Sequence, residues 1–207
     1  MCIRDRNPTA SGASTHPPTS DTEAIVSTIA DYELAAQREF HEEHDHFKLV
    51  GQDNIRRYLP VQALCIRVTE SDTWFDIVAR AAAAKAIGCR VTISSAPGVH
   101  TSWLKTLHDL TETWAADIEF IEQTDTDLIE AIAAGEVGRL RYAAPDRVPE
   151  SIHRAVIGHY VHIADNPVTP IGRVELLWYV EEQSVCVDYH RYGNLGDRVD
   201  EPRATVQ

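Results

Sequence analysis

Between Val61 and Ala164 short apolar runs alternate with amphipathic stretches, and this repeat constrains the fold more than any other feature of the chain. Val61 to Val68 reads as a strand bounded by Pro60 and by Glu70, Ser71 and Asp72. Thr73 with Asp76 predicts a capping box opening a helix that turns Trp74, Ile77, Val78 and Ala81 inward and ends near Gly88. Cys89 to Ser95 is the next strand. Residues 101 to 115 form a second helix, with Trp103, Leu107, Leu110 and Trp114 at helical spacing as core. Ile118 to Ile121 is a strand, Thr124 to Ala134 a helix closed by Gly135, Arg139 to Ala143 a strand, Glu150 to His159 a helix and Tyr160 to Ala164 a last strand. Strands separated by helices of this length require right-handed crossovers. The fold class expected is therefore α/β, a Rossmann-like parallel sheet with helices on both faces.

Before the repeat, residues 1–20 are rich in Pro, Ser and Thr, have little to bury and are expected to be disordered. Residues 21–60 are expected to hold a helix and a linker. Asp21 is the candidate N-cap, with Ile25, Ile29, Tyr32, Ala36 and Phe40 as one apolar stripe reaching to about Phe47. The helix end, HEEHDHF, sets His41 against His44 or Asp45 at ligand spacing, but next to a linker it reads as a solvated charge run, so no metal is expected. The formal charge of −13, from 32 acids against 19 Lys and Arg, argues against nucleic acid and anionic membrane partners. No apolar run is long enough for a membrane span, and a cytoplasmic location is expected. Cys2, Cys65, Cys89 and Cys186 form no CxxC pair; the last three lie in apolar strand-like runs, and Cys186 reads as a buried structural thiol.

After the repeat, residues 165–207 are expected to form a β-flap and tail. Arg173 to Val180 alternates with period two, pauses at Glu181 to Ser184 as if at a bulge, and resumes as Val185, Cys186, Val187. With Tyr160 to Ala164 and the NPVTPIG loop this predicts a hairpin or flap, whose Leu177, Trp178 and Tyr179 are apolar enough to call for a partner domain or subunit. Tyr189, His190, Arg191 and Tyr192 then run into Gly193, Asn194 and Gly196. Rigid aromatics and a guanidinium ahead of a glycine turn suit a docking surface; the same segment also suits an edge strand ending in a loop.

Nucleotide chemistry is poorly supported by motif. The loop after the first strand of the repeat is TESDT, without G-x-G-x-x-G, while SSAPG and APDRVP offer only generic helix starts to an anion. No Ser, His and acid constellation is legible.

The runs REFHEEHD (Arg38 to Asp45), GQDNIRRYLP (Gly51 to Pro60) and EEQSVCVDYHRYGNLG (Glu181 to Gly196) resemble the C-terminal region of the longer proline utilization A enzymes. The likeness spans about residues 36 to 200 and is most specific at Asn54, Arg57, Tyr58 and Pro60 and at the Tyr189 to Gly196 tail. Those enzymes join proline dehydrogenase to glutamate-semialdehyde dehydrogenase, and the longer members append an aldehyde-dehydrogenase-like domain. The resemblance implies that residues 61–164 are such a domain, stripped of activity. Thr69, Glu70 and Ser71 stand where an active relative has Pro-Trp-Asn, Ser94 and Ser95 where it has Lys-Pro, and Ala143, Ala144 and Pro145 where it has a glycine turn. No nucleophilic cysteine or glutamate base can be matched. The implied role is to brace or seal a neighbouring aldehyde dehydrogenase, in cis or in a sister subunit, through Trp178, Tyr189, His190, Arg191, Tyr192, Gly193 and Asn194. No cofactor is expected in this segment; NAD and FAD belong to the implied parent enzyme. Two other readings remain: a small NAD-binding oxidoreductase and a free-standing oligomerisation module.

Overall fold

The computed structural model describes residues 19–114, 117–190 and 194–203, so most of the segment expected to be disordered lies outside the described residues. Five parallel strands build the central sheet: β2 (Leu64–Val68), β3 (Val91–Ser95), β4 (Ile118–Glu122), β5 (Arg139–Arg141) and β6 (His162–Ala164), in the order β4-β3-β2-β5-β6. Every residue of β2 is buried, as expected of a central strand covered on both faces. The sheet is the Rossmann-like unit read from the repeat.

The crossover helices divide between the faces. On one face α2 (Trp74–Ile87) and α3 (Thr101–Leu110) cover Leu64, Ile66, Val68, Val91 and Ile93. On the other, α4 (Asp125–Ala133) and α5 (Glu150–Ile157) pack Leu128, Ile132, Ile152 and Val156 on Cys65, Leu140 and Tyr142. Local sequence decides where two of these helices begin. Thr73 and Thr124 each accept a bond from the backbone N–H three residues on, and the Asp76 and Asp127 carboxylates in turn accept one from the backbone N–H of the capping residue. Helix α2 is buried nearly all round, because α1 (Thr19–Ala35) lies over its outer side. Its run of alanines keeps it thin enough to fit between sheet and helix.

Four expectations are corrected. Helix α1 starts at Thr19 rather than at Asp21, passes into a π-helical turn over Ala36–Phe40 and stops there, short of Phe47. Leu110, expected in the core, is 65% exposed at the end of α3, and the expected helix over residues 101 to 115 gives way there to a 3-10 turn, Glu112–Trp114. The alternating segment 173–179 is helical: α6 (Gly172–Glu175) continues into a 3-10 turn, Leu176–Tyr179. Its buried residues, Gly172, Glu175, Leu176 and Tyr179, follow a helical period. Gly172 is required there, since a Cβ would lie 2.8 Å from the carbonyl oxygen of Asp31 and from the Ala35 Cβ. Tyr179 therefore belongs to this chain's own core.

The fourth correction concerns the flap: Tyr160 to Ala164, expected as one of its strands, instead supplies β6, which pairs parallel with β5 at the edge of the sheet. The segment read as a linker is a strand, β1 (Gln52–Pro60), and it pairs antiparallel with β7 (Val180–Asp188), which runs unbroken through the expected bulge. Gln52 lies opposite Asp188 and Pro60 opposite Val180, so the ribbon joins two segments about 130 residues apart in sequence. Within the ribbon Val180 alone is buried.

Candidate functional site

In an open parallel sheet, ligands bind beyond the carboxyl ends of the strands, where the strand order reverses. Here that point lies between β2 and β5, and the chain fills it with its own ionic side chains. Arg80, wholly buried on α2, donates to the carbonyl oxygens of Arg67 (2.9 Å), Arg141 (3.2 Å) and Asp76 (2.8 Å), and its Nη2 meets the equally buried carboxylate of Asp72. The hydroxyl of Thr69 donates to Asp72 at 2.7 Å. From the turn after β5, Arg147 donates to Asp72 (2.8 Å) and to Asp76 (2.9 Å). Burial pushes the Asp72 carboxyl up, but the charge of Arg80 and the bonds from Thr69 and Arg147 outweigh it and hold it below its ordinary value.

The N-terminus of α2, the place where such a fold cradles a pyrophosphate, is thus capped by carboxylates and bolted to the β5 loop. Across the sheet Arg67 ties β2 to β3 and α4, donating to the Ser94 hydroxyl (2.7 Å), the Gln123 carbonyl (3.0 Å) and Asp125 (2.7 Å). A second buried group joins β5 to α6: Arg141 donates to Glu175 at 2.7 Å, and the Tyr179 hydroxyl donates to the same carboxylate at 2.9 Å. None of these arginines was singled out from sequence. The available signal was Arg80 itself, a cation amid the IVARAAAA face of a helix that otherwise reads as core.

The ribbon is the opposite case. Asn54, Arg57, Tyr58 and Pro60 all lie on β1. Arg57 Nε donates to Gln183 of β7 at 2.6 Å and its Nη1 to Glu43 at 3.2 Å; Asn54 donates to Gln52 at 2.9 Å. Tyr58 sets its ring 4.9 Å from that of Phe40. At the ribbon's base the tail closes on the same strand pair. The backbone N–H of Tyr189 and Nδ1 of His190 both donate to the Gly51 carbonyl, at 3.0 and 2.9 Å, and the Tyr189 hydroxyl accepts from the Gly51 N–H at 3.0 Å. Gly51 has φ +86°, and a Cβ there would lie 2.7 Å from His190 Nδ1. Arg198 lies over the Tyr189 ring at 3.8 Å and, with Arg203, grips Asp53.

Of the remaining expected docking residues, Arg191, Tyr192 and Gly193 lie outside the described residues. Asn194 accepts from the Gly196 N–H at 2.9 Å. Trp178 lies apart from the tail: half-buried, it stacks on His162 at 6.4 Å, and its carbonyl receives Arg139 at 3.0 Å. Cys65 and Cys89 are buried, and burial pushes both thiols up to about 12. Cys186 corrects the reading of a buried thiol, being exposed on β7. His44 bonds the Glu39 carbonyl at 2.9 Å, and among the described residues no group of three or more His, Cys, Asp or Glu is placed to hold a metal ion. No helix among them is long and apolar enough to cross a membrane.

No protein-family model matches the chain, and no curated protein matches it in sequence. Solved structures do share its fold. Proline utilization A from Corynebacterium freiburgense superposes with a TM-score of 0.54 at 21% identity, over 92% of this chain and 16% of that one. An aldehyde dehydrogenase from Bacillus cereus in complex with NAD+ gives 0.55 at 16% identity, over 69% and 29%. Histidinol dehydrogenase from Elizabethkingia anophelis gives 0.52 at 17% identity, over 74% and 36%. The chain has an aldehyde-dehydrogenase-like fold and spans little more than a third, at most, of the length of these three proteins.

Proposed function

We propose that this chain is a non-catalytic aldehyde-dehydrogenase-like domain of a proline-catabolic enzyme, bracing or sealing a neighbouring NAD-dependent aldehyde dehydrogenase through its ribbon and tail. The observation that carries the reading is the Arg80–Asp72–Arg147 lock at the point of strand reversal, where two buried or half-buried carboxylates stand in the way of a pyrophosphate. The ribbon supports the second half of it. Two strands alone are marginally stable in water, and a strand supplied by a partner would complete them. The likeness to proline utilization A from Corynebacterium freiburgense extends over 92% of the chain, whereas that to proline utilization A from Bradyrhizobium japonicum covers 71%, close to the 69% of the Bacillus cereus dehydrogenase.

Calorimetric titration with NAD+ and NADH tests the first half: no saturable binding is expected, and micromolar affinity, about 8 kcal/mol, would require a formed site and return the chain to the oxidoreductases. In the enzyme that carries this domain, deletion from Asp188 onward is expected to spare proline oxidation and to impair the aldehyde step or the transfer between the two. Equal coupled and half-reaction rates in truncated and intact enzyme would reduce the tail to a closure of this chain's own ribbon.

A further inference from the structure

Helix α3 leaves part of the sheet it crosses uncovered. Its Trp103 turns away to pack on Trp74 of α2 (ring centroids 6.1 Å apart) and on His100 (4.6 Å), and of its large apolar residues Leu107 alone is buried. Between α3 and the edge of the sheet lies a groove of about 230 Å³, floored by Ile93 and Phe120, walled by Leu104 and rimmed by Lys105 and Glu122. Ser95 also lines it. In a strand alternate residues share a face, so Ser95 faces α3 with Ile93, and its ladder partner Glu122 shares that face with Phe120.

Ser95 supplies an independent sign of a ligand. Its hydroxyl is buried, the residue is 1% exposed, and among the described residues it has no hydrogen-bond partner. Leaving such a group unpaired is unfavourable, and native structures rarely do so without a use for it. A molecule in the groove with one neutral polar atom would satisfy it. The Phe120 ring, already met edge-on by His108 at 5.3 Å, offers a face suited to a second ring. We infer that this groove is a binding site for a small aromatic molecule of one or two rings bearing a neutral hydroxyl or N–H, of the phenol or indole class. The ring lies on Phe120 and Ile93, and the polar atom pairs with Ser95. The site is separate from the strand-reversal point and does not depend on the bracing role.

The full chain, labelled with 15N, is titrated with p-cresol and, separately, with toluene. Saturable shifts centred on Ile93, Ser95 and Phe120 are expected with p-cresol at millimolar concentration, and toluene is expected to bind about tenfold more weakly, one hydrogen bond being lost. Ser95→Ala, which removes the hydroxyl without adding bulk, is expected to bring p-cresol down to the toluene level and leave toluene unchanged. Leu104→Trp, at the half-exposed wall, is expected to abolish both. Absence of shifts in the groove, equal binding of the two probes, or p-cresol binding untouched by Ser95→Ala overturns the site. Should Leu104→Trp not fold, the Ser95 comparison decides alone.

Discussion

The carboxyl edge of the sheet and the β1–β7 ribbon are both rich in arginine and acid, yet they hold these residues in opposite ways. At the carboxyl edge the Arg80 and Asp72 side chains are fully buried and Arg147 is half-buried; each of these charges faces a partner of its own chain. On the ribbon, Arg57 is 40% exposed and its partner Glu43, which precedes β1, is 54% exposed, and the bond between Arg57 and Gln183 runs across the strand pair. A buried pair is committed, because removing either member strands the other in a medium that cannot solvate it. An exposed pair can exchange its partner for water or for another protein at small cost. The first region is consequently a structural bolt at the place where related folds bind ligand, and the second is an exposed surface whose charges are free to exchange.

The largest effect should come from breaking the bolt. Arg80→Met keeps the aliphatic bulk but leaves Asp72 and the carbonyl groups of Arg67 and Arg141 without their donor, and a loss of roughly 3–5 kcal/mol is expected from urea unfolding. A loss below about 1 kcal/mol would place the carboxyl edge in the same category as the ribbon. Acidity should reveal the same lock with a smaller effect. The folded-state value of Asp72 is below its unfolded value of about 3.9, so its contribution is fully present above that value and is lost as pH falls through the folded one. Stability measured between pH 6 and 3 should therefore fall more steeply in the native chain than in Asp72→Asn. Parallel profiles would show that the carboxylate is not held by its arginines. The smallest effect is expected on the ribbon, where Arg57→Ala should change stability by less than about 1 kcal/mol. A larger loss would mean that the ribbon is self-sufficient and owes nothing to a partner.

Much of the sheet was legible because its signals are local. The capping boxes at Thr73 and Thr124 and the left-handed Gly88 mark helix ends through bonds within one turn, and the apolar runs between them have only one way to be covered on both faces. Segment 173–179 reads as a strand because Val174, Leu176 and Trp178 alternate with Glu175, Leu177 and Tyr179. Once Glu175 is buried against Arg141, the spacing of Gly172, Glu175, Leu176 and Tyr179 is plainly helical. The linker preceding Pro60 carries no clean alternation, since neither face of the ribbon is deeply buried. Its identity as a strand comes from pairing with β7 and, on its other edge, from the bridge between Arg56 and His44.

Sequence by itself determined the parallel sheet from β2 through β5, the starts of α2 and α4 and the absence of a G-x-G-x-x-G loop after the first strand of the repeat, all of which rest on interactions between near neighbours or on residue type. Tertiary structure decided the pairing of β1 with β7, the closure of Tyr189 and His190 on Gly51, and the plug formed by Arg80, Asp72 and Arg147. Each of these joins residues from separate elements. The free energy of a buried charge depends on which group the fold brings to within hydrogen-bond reach, and no single stretch of sequence contains that information.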